Sequence, residues 1–306
     1  MSEGRLERGT GDGSNGRLTF RRGGRWLLVV LVLGALLVIA DRYANYVWEL
    51  GPPVPVVGSH VGSVLLSLAL LGLVVVALRL EGVSLARIGL APGLLAPATV
   101  ATGGYFLALN AVGIGLAVVA GVPETVGYQW TVPPAEAAFV FLFMFVVAGI
   151  VEEVVFRGYL QNAVVALWRG DPRVRIAVGL VVASALFSAY HVPRVLTDGP
   201  PGAMSASGYL LVLFVNGLGF GVLYEFTHNL YVPVLVHAAG NMPGTAGILF
   251  FHLGGWPTWA AGLYAVAYLG FAALVVLAYR RWAFETGAMP VWTARRTAPL
   301  ERTRSS

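Results

Sequence analysis

In AAFVFLFMFVVAGIVEEVVFRGYLQN, residues 137–162, a run from Ala137 to Ile150 without one ionisable side chain leads straight into Glu152 and Glu153, with Arg157 following. A run of this kind, with its flanks, matches the roughly 17–25 apolar residues that cross a bilayer. An ionised side chain at the centre of such a helix costs about 2.5–3.5 kcal/mol even on lenient insertion scales. Three charges there need partners or a water-filled cavity. On a helix, Glu153 and Arg157 stand four residues apart on one face, with the acid N-terminal, the favourable order for an ion pair. Glu152 lies about 100° round the axis, so the two carboxylates cannot serve Arg157 equally, and one is left for another task.

The rest of the chain repeats the apolar pattern. Of its 306 residues, 57% are hydrophobic and 11% charged, far from the balance of a soluble domain. Apolar windows fall near 26–47, 61–80, 95–120, 135–157, 174–191, 206–225, 230–252 and 257–279, which predicts an all-α polytopic membrane bundle of about eight transmembrane helices. The boundaries expected for the regions are a basic, disordered tail over 1–25, a membrane domain over 26–284 with a motif-bearing core at about 81–252, and a second disordered tail over 285–306. The segment 81–92, EGVSLARIGLAP, reads as a connector.

All 20 basic residues are arginines, and 17 of them fall in alternate connecting segments: Arg5 to Arg25, Arg79 and Arg87, Arg169 to Arg175, and Arg280 to Arg304. The opposite loops hold Arg194 alone, so the positive-inside bias places both termini in the cytoplasm. All eight tryptophans sit at or beyond span ends, where indoles prefer the headgroup region. The net charge of +5 therefore reads as topology and attraction to an anionic bilayer, with no nucleic-acid partner. The absence of cysteine excludes disulfides and thiolate chemistry. No internal repeat stands out, which weakens an inverted-repeat transporter reading.

Two further polar pairs occur at helical spacing. Phe187 and His191 are four apart in LFSAYH, and His237 and Asn241 are four apart in VHAAGN. Each pair projects from one helix face. A carboxylate, two imidazoles and a carboxamide suffice to activate water and to hold an oxyanion. Singly, each of these residues also suits an interhelical polar network, as do Asn110 and Asn216. His60, His228 and His252 lie at span ends.

The set EExxxR (Glu152, Glu153, Arg157), FxxxH (Phe187, His191) and HxxxN (His237, Asn241), in this order on membrane helices, resembles the CPBP family of intramembrane endopeptidases. That family includes the CAAX-processing proteases and the bacterial abortive-infection and bacteriocin-associated proteins. SLARIGL also resembles the segment that precedes the family's third core helix. The resemblance implies a glutamic-type peptidase acting on a membrane-anchored peptide or protein. In it, Glu152 would be the general base, His191 would hold the attacking water, and His237 and Asn241 would donate to the oxyanion. Glu153, Arg157 and Phe187 would support them.

No cofactor is required on this reading. If zinc is used, Glu152, His191 and His237 are the ligands, although no HExxH motif is present. The lysine-free, Ala/Gly/Val/Arg-rich composition suggests a bacterial plasma membrane. The rival function is a non-enzymatic transporter or scaffold that retains the polar core.

Straight vertical spans would bring Glu152 and His191 to matching depth but leave His237 only about 7 residues, on the order of 10 Å, inside its span. Convergence of the three motifs therefore requires tilt or irregular helices near Gly217, Gly219, Gly221 and Pro233. A hydrolytic site needs His237 within about 12 Å of Glu152.

Overall fold

The computed structural model describes residues 18, 20, 25–46, 49–54, 60–130, 133–200, 204–242, 246–251 and 256–286. Most of both expected tails, together with Trp48, His252 and Trp292, lie outside the described residues. Of the N-terminal tail, Leu18 is buried in the core and Phe20 packs edge-on against Tyr159 at 6.0 Å.

The described chain forms helices α1 (Arg25–Tyr46), α2 (Val61–Leu80), α3 (Leu95–Val119), α4 (Pro134–Leu167), α5 (Pro172–Tyr190), α6 (Val192–Asp198), α7 (Ala206–Thr227), α8 (Tyr231–Gly240) and α9 (Thr258–Glu285). Strands β1 (Val126–Trp130) and β2 (Ala246–Phe251) pair as one antiparallel ribbon. The outer helix faces carry large apolar side chains in the open, among them Val100 (76% exposed), Leu107 (75%) and Leu269 (67%). Helices whose backbone bonds are internal and whose exposed surface is apolar fit lipid as the solvent. The polytopic helical membrane fold stands.

The count of spans differs from eight. Among the described residues, seven helical segments are long and apolar enough to cross a membrane, and α8 is too short. The window expected at 230–252 divides into the ten-residue α8 and strand β2. Gly240 ends α8, and Pro243 and Gly244 follow within four residues. Pro cannot continue the hydrogen-bond ladder and disfavours helix in the residue before it. Strand β2 pairs with β1, which lies in the connection between α3 and α4.

The base of α8 is built on the connector between α2 and α3. Ser84 caps a short helical turn, Leu85–Ile88, which ends at Gly89 in the left-handed region (φ +88°). The Leu230 amide donates to the Gly89 carbonyl at 3.1 Å, and a Cβ on Gly89 would fall 2.5 Å from the His228 carbonyl oxygen. Buried Asn229 ties the junction together: its carboxamide donates to the Leu94 carbonyl (2.8 Å) and the Tyr279 hydroxyl (2.7 Å), while its oxygen accepts from the Tyr231 amide (2.9 Å). Trp256 stands just before α9, at a span end as expected. It is buried against Ala117 and Ala260, and its indole N–H donates to the Thr125 hydroxyl at 2.6 Å.

Candidate active site

Helix α4 is the best buried of the apolar helices: 39% of its most apolar window is inside the protein, against 6% for α9. Two π-helical stretches, Met144–Ile150 and Val154–Gln161, flank the three residues that include Glu152 and Glu153. Such widened turns recur at functional sites. Asn162 repairs part of the altered ladder, its carboxamide donating to the Arg157 carbonyl at 3.0 Å.

The division of labour between the two glutamates is clear in the geometry. Glu153 (0% exposed) accepts from Arg157 (1% exposed) at 2.9 Å. The Arg157 guanidinium also donates to the Gly217 carbonyl at 3.1 Å and lies 4.6 Å from the centre of the Phe187 ring and 5.2 Å from that of Phe220. A desolvated cation over two ring faces gains on the order of 2 kcal/mol or more. Arg157 is thereby fixed between α4, α5 and α7. Glu152 is turned away from this pair into a cavity, and its Oε2 is buried with no hydrogen-bond partner among the described residues.

His237 joins the two carboxylates. Its Nδ1 donates to Glu153 Oε1 at 2.8 Å, and its Nε2 stands 3.8 Å from Glu152 Oε2. The Phe220 ring stacks on the imidazole (4.9 Å, 16°), and Phe187 meets it edge-on at 5.9 Å. His237 is held on one nitrogen and packed by two rings, leaving Nε2 for the cavity.

The difficulty of depth resolves at Gly158. A Cβ there would meet Ile88 at 2.8 Å and Leu230 at 3.5 Å, so α8 starts level with residue 158 of α4 and not at its end. Both Glu152 and His237 stand six residues from that level, on the order of 9 Å at 1.5 Å per residue. Close approach of α8 to α4 also depends on Gly149, where a Cβ would fall 2.9 Å from the Val234 carbonyl oxygen.

His191 ends α5, and its Nδ1 lies 2.9 Å from the Phe187 carbonyl. A carbonyl only accepts, so Nδ1 carries a proton and Nε2 is the ring nitrogen that this contact leaves over. Asn241 follows α8 as its C-cap. Glu152, His191, His237 and Asn241 all line one cavity of about 720 Å³, with Phe187 in its wall. Among the described residues, no group of three His, Cys, Asp or Glu side chains is arranged to hold a metal ion. The alternative zinc set, Glu152, His191 and His237, lines the same cavity, and the contacts of Glu153 and of the Phe187 carbonyl engage only Nδ1 of each imidazole.

Residues 134–243 match the family model described as type II CAAX prenyl endopeptidase, Rce1-like. The matched segment holds all three motifs, from Glu152 to Asn241, and bears out the resemblance read from them. At the level of the family it supports a CAAX-type intramembrane endopeptidase, and with the apolar helices it supports an integral membrane protein with a membrane-associated substrate. No curated protein and no solved structure matches the chain.

Several site residues escape a reading by motif. Phe220 and Gly217 lie on α7, which carries no charged motif, and their signal is the small-residue pattern NGLGFG with one aromatic inside it. Asn216, expected to bond a neighbouring helix, is instead exposed in the cavity wall. Asn110 bonds within its own helix, to the Phe106 carbonyl at 2.7 Å.

Proposed function

We propose that the protein is a glutamic-type intramembrane endopeptidase that hydrolyses a peptide bond in a hydrophobic or lipid-anchored peptide or protein, without a metal. The observation that carries this reading is the shared cavity: Glu152, His191, His237 and Asn241, from three helices, line one space within a segment that matches a peptidase family.

In this mechanism the Glu152 carboxylate takes a proton from a water molecule that donates its other hydrogen to the His191 Nε2 lone pair. The water oxygen bonds to the scissile carbonyl carbon, and the carbonyl π electrons move to oxygen. His237, as imidazolium held by Glu153, donates from Nε2 to that oxyanion, and the Asn241 carboxamide donates beside it. Collapse of the intermediate breaks the C–N bond while the proton on Glu152 passes to the leaving nitrogen, giving a new carboxyl terminus and an amine. One oxyanion donor of this kind is worth about 10²–10³ in rate. Glu153, Arg157, Phe187 and Phe220 act by positioning, since they touch His237 or its support and not the reacting atoms.

The test is cleavage of a panel of quenched fluorescent peptides, some lipidated, by detergent-purified protein, with Glu152→Ala alongside. Cleavage that disappears in the variant supports the proposal. Cleavage that survives it removes Glu152 from the chemistry. A transporter, by contrast, would move solute along a gradient, cleave nothing and tolerate substitution of Asn241.

A further inference from the structure

The cavity is open at one end and closed at the other. Its open end reaches Asp41 and Arg42 near the end of α1, His60 and Ser63 at the start of α2, and Arg194 and Asp198 on α6. At its floor, every residue from Glu153 to Gln161 is buried, and Ile88 and Leu230 fill the space under Gly158. Among the described residues, the way to Glu152 therefore lies from the end that bears Asp41 and Arg194.

The charge pattern identifies that end. The exposed arginines Arg79, Arg87, Arg169, Arg173 and Arg281 all stand at the opposite ends of their helices. At the open end the cations are matched by acids: Arg42 pairs with Asp41 and lies 3.6 Å from Asp198, and Arg194 lies 3.8 Å from the same carboxylate. Cytoplasmic segments carry the excess of arginine, and this face carries none.

We infer that the cavity opens on the extracytoplasmic face, and that its substrate is an apolar peptide segment presented from that side, on a chain already carried across or anchored in the outer leaflet. Between the charged mouth and the site, the walls include Val38, Val64, Phe143, Val147 and Leu213, which suits apolar side chains flanking the scissile bond. The location of the opening stands on geometry and charge alone, whereas the word substrate rests on the peptidase reading above.

The chain contains no cysteine, so single-cysteine variants report access without background. Arg194→Cys (mouth), Asn216→Cys (cavity wall), Arg173→Cys (arginine-rich end) and Val215→Cys (exposed apolar surface of α7) would be treated with a membrane-impermeant maleimide in right-side-out and in inverted vesicles. The thiolate is the reacting species and forms poorly in lipid, so Val215→Cys serves as the unreactive control. The expected result is labelling of Arg194→Cys and Asn216→Cys in right-side-out vesicles only, and of Arg173→Cys in inverted vesicles only. Reversal of that pattern, or labelling of Asn216→Cys from the inverted face or from neither, overturns the inference.

A second measurement adds a cleavable peptide to each vesicle type, with cleavage expected in right-side-out vesicles alone. Outward labelling with cleavage confined to inverted vesicles refutes the assignment of substrate side. Outward labelling with no cleavage on either side, by a protein also inactive in detergent, refutes the peptidase reading while the opening stands.

Discussion

Replacement of Arg157 by methionine would remove a guanidinium that is 1% exposed and leave Glu153, at 0% exposed, with His237 as its remaining donor and Oε2 unpartnered. Breaking a buried pair from one side costs about 3–5 kcal/mol, because an uncompensated charge stays behind. That cost corresponds to roughly 10²–10⁴ in the unfolding equilibrium, at about 1.4 kcal/mol per decade. Apolar replacement of a whole buried pair is often neutral, so the double variant Glu153→Gln/Arg157→Met should recover most of the loss. Its activity should remain low, because a neutral amide no longer holds the His237 imidazolium.

The assay is SDS titration of detergent-solubilised protein followed by fluorescence of the eight tryptophans, with cleavage measured on the same samples. A single variant destabilised by less than about 1 kcal/mol would refute the buried-pair argument. So would a double variant as unstable as the single.

Gly149→Ala should lower cleavage more than stability, since its Cβ would press on the Val234 carbonyl and move α8, with His237, away from α4; the comparison is kcat against the unfolding midpoint. Asn229→Ala should destabilise the protein by about 1–3 kcal/mol, the cost of leaving buried partners unsatisfied, since it strands the Leu94 carbonyl and the Tyr231 amide; the same titration measures it. Asn241→Ala should reduce kcat by about 10²–10³ with little change in KM, as expected for a donor used only in the transition state; steady-state kinetics separate the two. A zinc chelator should leave the cleavage rate unchanged, whereas a loss restored by added zinc would reinstate the metal reading.

The helical membrane fold was legible because apolar windows of bilayer length depend on composition alone. The Glu153–Arg157 pair followed from helical spacing, and the freed Glu152 followed from the angle between neighbouring side chains. The division of the 230–252 window into the short α8 and strand β2 was not legible, because an apolar count does not distinguish helix from strand and β2 forms only against β1, far away in the chain.

The depth match of Glu152 and His237 was likewise hidden. It depends on α8 starting beside Gly158, through contacts of Leu230 with Gly89 and Gly158 that join segments far apart in the chain. Phe220 and Gly217 needed the structure for the same reason: their roles exist only against Arg157 and His237.

Glu152→Gln keeps the size of the side chain and removes only its capacity to accept a proton, so it tests the general-base assignment with little disturbance to the fold. With a peptide that wild-type protein cleaves, the account predicts a fall in kcat of at least about 10²-fold, the lower bound for a positioned base, with an unchanged unfolding midpoint. A variant that unfolds like wild type and still cleaves at more than about a tenth of its rate would contradict it.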